Sequence, residues 1–175
     1  MNDFDAAYES ANYIAQAGYR HIVFICPPLR KKGTMDGKIN ITSQDLRAQG
    51  FKHYMDMNGD LRYSIFTQKD FYSDALSVIR SGNEKTAFFC SSDMYALELL
   101  KFFRLEGVIV PGDAGLMGFD NLDLLTYISP RLTSVSTSLE IVGKEAITIL
   151  LKLIANETVP DTCYVPHVIC PGETL

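Results

Sequence analysis

The sequence lacks an excess of positive charge. Its 175 residues include 16 lysines and arginines against 21 aspartates and glutamates, which gives a formal net charge of −5. Because contacts with nucleic-acid phosphates require a basic surface, this balance argues against a nucleic-acid-binding module in these residues. The basic cluster at residues 30–32 is short, and we interpret it as part of a solvated loop.

Long apolar runs are also missing. No hydrophobic segment reaches the roughly 20 residues that a transmembrane helix needs. The N-terminal sequence MNDFDAAYES is acidic and polar, unlike a secretory signal. We therefore expect no membrane association and a cytoplasmic location. With 47% hydrophobic and 21% charged residues, the composition is that of a folded globular protein.

Residues that usually bind metals or carry out covalent catalysis are few and scattered. The three histidines show no metal-ligand spacing, and the sequence contains neither a G-x-S-x-G elbow nor a P-loop. We expect a protein that is not an enzyme and that uses no cofactor or metal. The alternative is an enzyme on a flavodoxin-like α/β sheet, in which folding brings two carboxylates together for acid–base catalysis.

The four cysteines form no C-x-x-C pair. Cys26 and Cys90 fall within apolar strand patterns, which favours reduced, buried thiols in a cytosolic protein. The sequence does not decide whether Cys163 and Cys170 form a disulfide.

Strand and helix patterns alternate along the chain, most clearly between residues 86 and 135. An apolar run at 86–90 predicts a buried strand, apolar residues at helical spacing predict a helix over 94–105, and a second apolar run predicts a strand over 114–119. Ligands of open α/β sheets bind beyond the carboxyl ends of the strands. Polar residues follow both predicted strands at that end, namely Ser92, Asp93 and Asp120.

The same patterns predict an α/β fold with an open parallel sheet and helices on both faces. Asp3 or Asp5 suits the cap of the first helix, and Thr42 or Ser43 suits the cap of the second. The remaining helices are predicted at 4–17, 44–57, 70–80 and 136–155. The remaining strands are predicted at 21–26 and 61–66, after the acidic turn in the approach to residue 135, and at 162–170, the last being an edge strand broken by Pro166.

Several motifs resemble one family. The segments AAYESANYIAQAGYRHIVFI, SSDMYAL, GFDN and YISPRLTSV occur in the order found in the C-terminal part of the effector-binding core of lactose-repressor-type (LacI/GalR) transcription regulators. That core shares its fold with periplasmic sugar-binding proteins. The resemblance implies a homodimer that binds a small-molecule effector, either a carbohydrate or a nucleobase, and that reaches operator DNA only through a helix-turn-helix headpiece. These residues contain no such headpiece.

The resemblance also implies a division of the chain as a C-terminal fragment of such a regulator. Residues 1–19 and 136–160 would be helices of the N-terminal subdomain, residues 20–135 the C-terminal subdomain, and residues 161–175 a terminal edge strand and tail. The two helices would then need another cover for their apolar faces.

Two residues are the leading candidates for effector contacts. Arg47 precedes Gly50 at the spacing of the family's R-L-x-G-[FY] pattern, with Ala48 in place of leucine, and Asp120 follows Gly118-Phe119. A guanidinium and a carboxylate offer paired donors and acceptors that suit sugar hydroxyls or purine edges. The alternatives are an exposed helix arginine and an Asx-turn aspartate.

Four further effector contacts are implied by the resemblance. Ser92 and Asp93 align with the family's N-D pair, with serine in place of asparagine, and helix capping is their alternative role. Asp3 aligns with an acidic position before the first helix, and Thr137 with a position that faces the cleft.

A dimer interface is implied as well. It comprises Met94, Leu97, Tyr127, Ile128 and Pro130, for which ordinary core packing is the alternative. The second candidate function is a sugar-binding protein of a transport system, which uses the same fold.

Overall fold

The computed structural model describes residues 1–29, 42–68, 70–82 and 84–175. The basic cluster at 30–32, interpreted above as a solvated loop, lies outside the described residues. At the centre is a four-stranded parallel sheet in the order β2-β1-β3-β4. Its strands are β1 (His21–Ile25), β2 (Arg62–Phe66), β3 (Thr86–Cys90) and β4 (Ala114–Met117).

Two hydrophobic cores lie on opposite faces of this sheet. Alternate residues of β1 divide between them, because successive side chains of a strand point to opposite faces: Ile22 and Phe24 face one core, and Val23 and Ile25 face the other. The first core is covered by α1 (Asp3–Gln16) and α2 (Ser43–Met57), and the second by α3 (Tyr72–Ser81) and α4 (Asp93–Leu105). The predicted open parallel sheet with helices on both faces is confirmed.

The cover that the first helix was expected to need is supplied by α2 and the sheet. Small residues of α1 are fully buried against α2 and the sheet, among them Ala6, Ala7 and Ala11. The two helices approach so closely that a Cβ on Gly50 of α2 would lie 2.0 Å from the carbonyl oxygen of Phe4. How these elements would divide between the subdomains of a longer protein remains a proposal.

The starts of α1 and α2 follow local capping chemistry. Thr42 caps α2 as predicted, and it forms a reciprocal capping box with Asp45. The cap of α1 is Asn2 rather than Asp3 or Asp5, because the Asn2 side chain accepts hydrogen bonds from the backbone N–H groups of Phe4 and Asp5. Asp3 is thereby left with a carboxylate that is free to bond elsewhere.

Beyond β4 the chain returns along the edge of the sheet. A 3₁₀ turn (Asp123–Tyr127) leads to β5 (Ser134–Thr137), which pairs antiparallel with β6 (His167–Cys170). The final strand is therefore shorter than the predicted 162–170. It begins directly after Pro166, which has no N–H to donate to a strand partner.

The last residues of the chain are held firmly. The Thr174 hydroxyl donates to the carbonyl oxygen of Leu116 in β4 at 2.6 Å and accepts from the backbone N–H of Thr133 at 2.9 Å. The carbonyl oxygen of Thr174 also accepts from the N–H of Leu116 at 2.7 Å. Thr174 is fully buried, so this tail completes the edge of the sheet.

Helix α5 (Leu139–Ile154) contrasts with the other helices because none of its residues is buried. Its apolar side chains are exposed, including Leu139 at 79% and Ile154 at 70%. The expectation of an uncovered apolar face therefore holds for this helix among the described residues. None of the helices in the described ranges combines the length and apolar character needed to cross a bilayer.

Candidate functional site

Arg47 lies at the carboxyl edge of the sheet and contacts three different segments. Its Nε donates to a carboxylate oxygen of Asp3 at 2.8 Å, and its Nη1 donates to the carbonyl oxygen of Ser91 at 2.6 Å. The guanidinium also lies 3.6 Å above the ring centroid of Phe119, a cation–π contact. Only 7% of Arg47 is exposed, so the alternative of a solvated helix arginine is excluded.

Asp120 faces the same guanidinium. Its carboxylate lies 3.6 Å from Nη1 of Arg47, and 39% of its side chain is exposed. Burial raises the pKa of this carboxyl group, and the nearby Arg47 acts in the opposite direction. Asp120 therefore offers a partly open carboxylate beside a fixed cation.

Backbone conformation sets Asp120 apart from an ordinary strand residue. Its φ is +110° and that of Asn121 is +50°, both in the left-handed region that non-glycine residues rarely adopt. Such conformations persist only when the surrounding structure holds them, and they concentrate at ligand sites.

The sequence candidates Arg47, Asp3 and Asp120 therefore converge on one small surface. It carries one guanidinium and two carboxylates, a net charge of −1 when all three groups are ionised. The two carboxylates accept hydrogen bonds, and the guanidinium between them donates hydrogen bonds. This alternation of acceptors and donors suits a ligand with neighbouring hydroxyl groups.

Ser92 and Thr137 lie at the ends of elements that reach this edge. Ser92 is the N-cap residue of α4, yet its side chain makes no capping hydrogen bond, so the capping alternative does not account for it. Thr137 is the last residue of β5, and its hydroxyl contacts the Met1 sulfur at 3.9 Å. Both residues are half-buried.

Asp93 occupies a different environment from the other candidates. It is fully buried, and both carboxylate oxygens are bonded within the protein. Oδ1 accepts from the Ser134 hydroxyl at 2.6 Å, and Oδ2 accepts from the backbone N–H of Leu122 at 2.8 Å. This carboxylate thus lies behind the surface that Arg47 and Asp120 share.

Two contributors to this region are not predicted by the sequence patterns. Phe119 supplies the ring beneath Arg47, and Ser134 bonds Asp93. In the sequence, Phe119 is visible only as part of a strand motif. The signal for Ser134 is a hydroxyl residue directly before Val135, which by itself does not identify a partner.

Lowering the pH from about 7.5 to about 5 is expected to stabilise the fold through Asp93. Burial raises the pKa of this carboxyl group from 3.8 to about 6, and its hydrogen bonds to Ser134 and Leu122 only partly oppose that rise. Between these pKa values the folded state binds a proton that the unfolded state does not. The free energy of unfolding should therefore rise by on the order of 1 kcal/mol as the pH falls, measured by urea denaturation at both pH values.

Two variants separate Asp93 from other carboxylates in this test. Asp93→Asn removes the titrating group, so its free energy of unfolding should change with pH by about 1 kcal/mol less than that of the wild-type protein. Asp120 contributes to this change in the same direction in every variant. Asp113→Asn is the control, because Asp113 is exposed and accepts from the backbone N–H of Ile109 at 2.7 Å. An Asp93→Asn protein with the full wild-type pH dependence would contradict the expectation.

A second surface of interest lies on the outer side of α4. Met94 is 53% exposed and Tyr127 is 89% exposed, whereas Leu97, Ile128 and Pro130 are half-buried. Beside them is an apolar groove with a volume of about 420 Å³, lined by Leu97, Leu100, Lys101, Arg104, Leu105 and Ile128. Core packing thus explains Leu100 but not Met94 or Tyr127.

Comparison with known proteins adds three findings. The periplasmic binding protein-like domain family matches residues 11–175. The chain is 28% identical over 162 residues to the HTH-type transcriptional repressor PurR of Histophilus somni and 29% identical over 169 residues to catabolite control protein A of Priestia megaterium. These alignments cover 89% and 93% of the chain but 46% and 48% of the relatives, so the chain spans about half their length.

A solved structure supports the fold independently. The periplasmic binding protein/LacI transcriptional regulator from Alkaliphilus metalliredigens, complexed with D-xylulofuranose, superposes with a TM-score of 0.79 at 20% identity. The match covers 99% of the chain and 64% of that structure.

Proposed function

The chain belongs to the periplasmic binding protein-like domain family, and from this membership we propose that it forms an effector-binding and dimerisation part of a LacI/GalR-type transcription regulator. The resemblance noted from the sequence motifs is confirmed by the repressor relatives. In this proposal the small molecule binds at the carboxyl edge of the sheet, where Arg47, Asp120, Asp3, Ser92 and Thr137 come together. Operator DNA is reached only through parts of the regulator that lie outside these residues.

The observation that carries the proposal is the position of Arg47. Its guanidinium is held by Asp3, by the carbonyl oxygen of Ser91 and by the ring of Phe119, while the Asp120 carboxylate beside it stays 39% exposed. A rigid donor next to an accessible acceptor binds a ligand with little ordering cost. The left-handed backbone at Asp120 supports the same assignment, because strain of this kind is kept where a side chain must be aimed.

The charge balance favours a neutral ligand. Since the guanidinium already has carboxylate neighbours at 2.8 Å and 3.6 Å, the site repels an anion more than it attracts one. A carbohydrate with neighbouring hydroxyls satisfies both the donors and the acceptors, and a nucleobase edge is the second choice. The similar regulator from Alkaliphilus metalliredigens holds a neutral sugar, which is consistent with this preference.

Chemical-shift mapping by NMR tests the site. Neutral pentoses such as D-ribose and a nucleobase such as hypoxanthine, titrated to high concentration, should perturb Arg47, Ser92 and Asp120 with weak affinity, because the chain spans only about half of the length of the relatives. Asp120→Asn should weaken the response by about tenfold, the loss of one charge-assisted hydrogen bond.

Arg62→Lys is the matched control, because Arg62 is an exposed arginine paired with Glu84 at the opposite end of the sheet. It should leave the titrations unchanged. Perturbations that fall elsewhere, or that are equal in Asp120→Asn and the wild-type protein, would contradict the assignment of the site.

Dimerisation is proposed to use the outer side of α4. Met94 and Tyr127 expose large apolar surfaces beside the groove that contains Leu97 and Ile128, and Pro130 continues the same surface. Exposed apolar patches of this kind mark association sites. Sedimentation equilibrium should show self-association that Tyr127→Glu abolishes, and a monomer at all concentrations would count against it.

A further inference from the structure

The turn that carries Asp120 is held by hydrogen bonds at each residue from 119 to 122. The N–H of Asp93 donates to the carbonyl oxygen of Phe119 at 2.7 Å, and the N–H of Leu122 donates to the Asp93 carboxylate at 2.8 Å. One residue of α4 thus bonds both ends of the turn. Asp120 and Asn121, the two left-handed residues, lie between those ends.

Ser134 supplies the contact in the middle of the turn. Its Oγ accepts from the N–H of Asn121 at 3.1 Å and donates to Oδ1 of Asp93 at 2.6 Å. The N–H of Asp120 itself donates to the carbonyl oxygen of Val135 at 2.9 Å. The side chains of Asp93 and Ser134 therefore form a clamp that ties α4 and β5 to the turn.

The clamp is sealed from solvent. Asp93 and Ser134 are both 0% exposed, and a Cβ on Gly118 would approach Oδ1 of Asp93 more closely than van der Waals contact allows. Within the described part of the chain Asp93 forms no ion pair, and its carboxylate is bonded to the Ser134 hydroxyl and to the N–H of Leu122. A buried carboxylate without a counter-ion is costly, so hydrogen bonds to the turn are its evident role.

We propose that Asp93 and Ser134 are positioning residues, which hold the turn at residues 119–122 in its left-handed conformation and thereby aim the Asp120 carboxylate at Arg47 and the ligand. Only the aim at a ligand rests on the proposed function. The clamp itself is a property of the folded chain, and it gives Asp93 a role other than the direct effector contact that the family resemblance implied.

Amide hydrogen exchange and side-chain NMR on the ligand-free chain test the clamp. In Asp93→Ala and in Ser134→Ala the amides of Asn121 and Leu122 should exchange at least about tenfold faster, because each variant removes a buried, charge-assisted bond. The Arg47 side-chain ¹⁵N signals should move toward the positions that they have in the Asp120→Asn protein. That protein is the reference for an Arg47 guanidinium without the Asp120 carboxylate beside it. Asp93→Asn keeps an oxygen that accepts from Leu122 and should restore slow exchange there.

The controls separate positioning from general loosening. Amides in the middle of the sheet, at Phe24 and Phe89, should exchange at wild-type rates in Ser134→Ala, and Asp113→Asn should leave the turn unchanged. If Asp93→Ala does not fold, Ser134→Ala carries the test alone, since it keeps the carboxylate.

Wild-type exchange at Asn121 and Leu122 in Ser134→Ala would overturn the proposal, as would an equal acceleration throughout the sheet. Because no ligand is used, this result is independent of the sugar titrations. If the site binds none of the tested molecules, hydrogen exchange still tests the clamp. If hydrogen exchange contradicts the clamp, the titrations still test the site.

Discussion

Replacing Gly50 with alanine is expected to lower the free energy of unfolding by about 3 kcal/mol, the upper part of the range for overpacked cores. A Cβ at this position would lie 2.0 Å from the carbonyl oxygen of Phe4 and 2.8 Å from its carbonyl carbon. Both obstructing atoms belong to the backbone of α1, so no side-chain rotation relieves the clash. The helices must move apart, and apolar contacts at Ala6 and Ala7 are then lost.

Gly143 provides the matched control, because it is also a helical glycine, but a Cβ added there would have nothing within 4 Å. Gly143→Ala should raise the free energy of unfolding by up to about 1 kcal/mol through helix propensity alone. Urea denaturation of the two variants gives the comparison. Equal effects of both substitutions would mean that the α1–α2 contact is looser than the structure shows.

Arg47→Met is expected to destabilise the fold by about 3 kcal/mol, the usual cost of breaking a largely buried ion pair. The methionine fills part of the volume above Phe119 but leaves the Asp3 carboxylate, with a side chain only 16% exposed, without its cation. The carbonyl oxygen of Ser91 also loses its 2.6 Å donor. Denaturant unfolding near neutral pH measures the loss.

Arg62→Met makes the same chemical change at an exposed site. The partner Glu84 lies at 2.9 Å, but the two side chains are 60% and 43% exposed, so this substitution should cost less than about 1 kcal/mol. If Asp3→Asn is combined with Arg47→Met, part of the stability should return, because the unpaired carboxylate is then gone. An Arg47→Met protein as stable as Arg62→Met would refute the buried pair.

The family resemblance singled out most of the candidate site, and local patterns explain why Arg47 and Asp120 lie at one edge. Asp120 follows a strand and Arg47 lies on the helix after another strand, so a parallel sheet brings both to the same edge. Asp93 also lies at that edge, but no local pattern reveals whether a side chain there points outward or inward. Its burial depends on Ser134, 41 residues later in the chain.

The cap of α1 illustrates a closer competition. Asn2, Asp3 and Asp5 all suit an N-cap, and their propensities differ too little to choose among them. The choice follows from a tertiary contact, because Asp3 pairs with Arg47 on α2 and Asn2 is left to bond the first turn.

Local periodicity thus finds most of the helices and strands of this protein and the class of its sheet, since strand and helix spacing depend only on neighbours along the chain, although the bounds of the last strand differ from the prediction. The burial of α1, the exposure of α5 and the left-handed turn at Asp120 are different, because each depends on which distant segments pack together. Those contacts are set by volume and by hydrogen-bond partners in three dimensions. A linear pattern of residue types contains neither quantity.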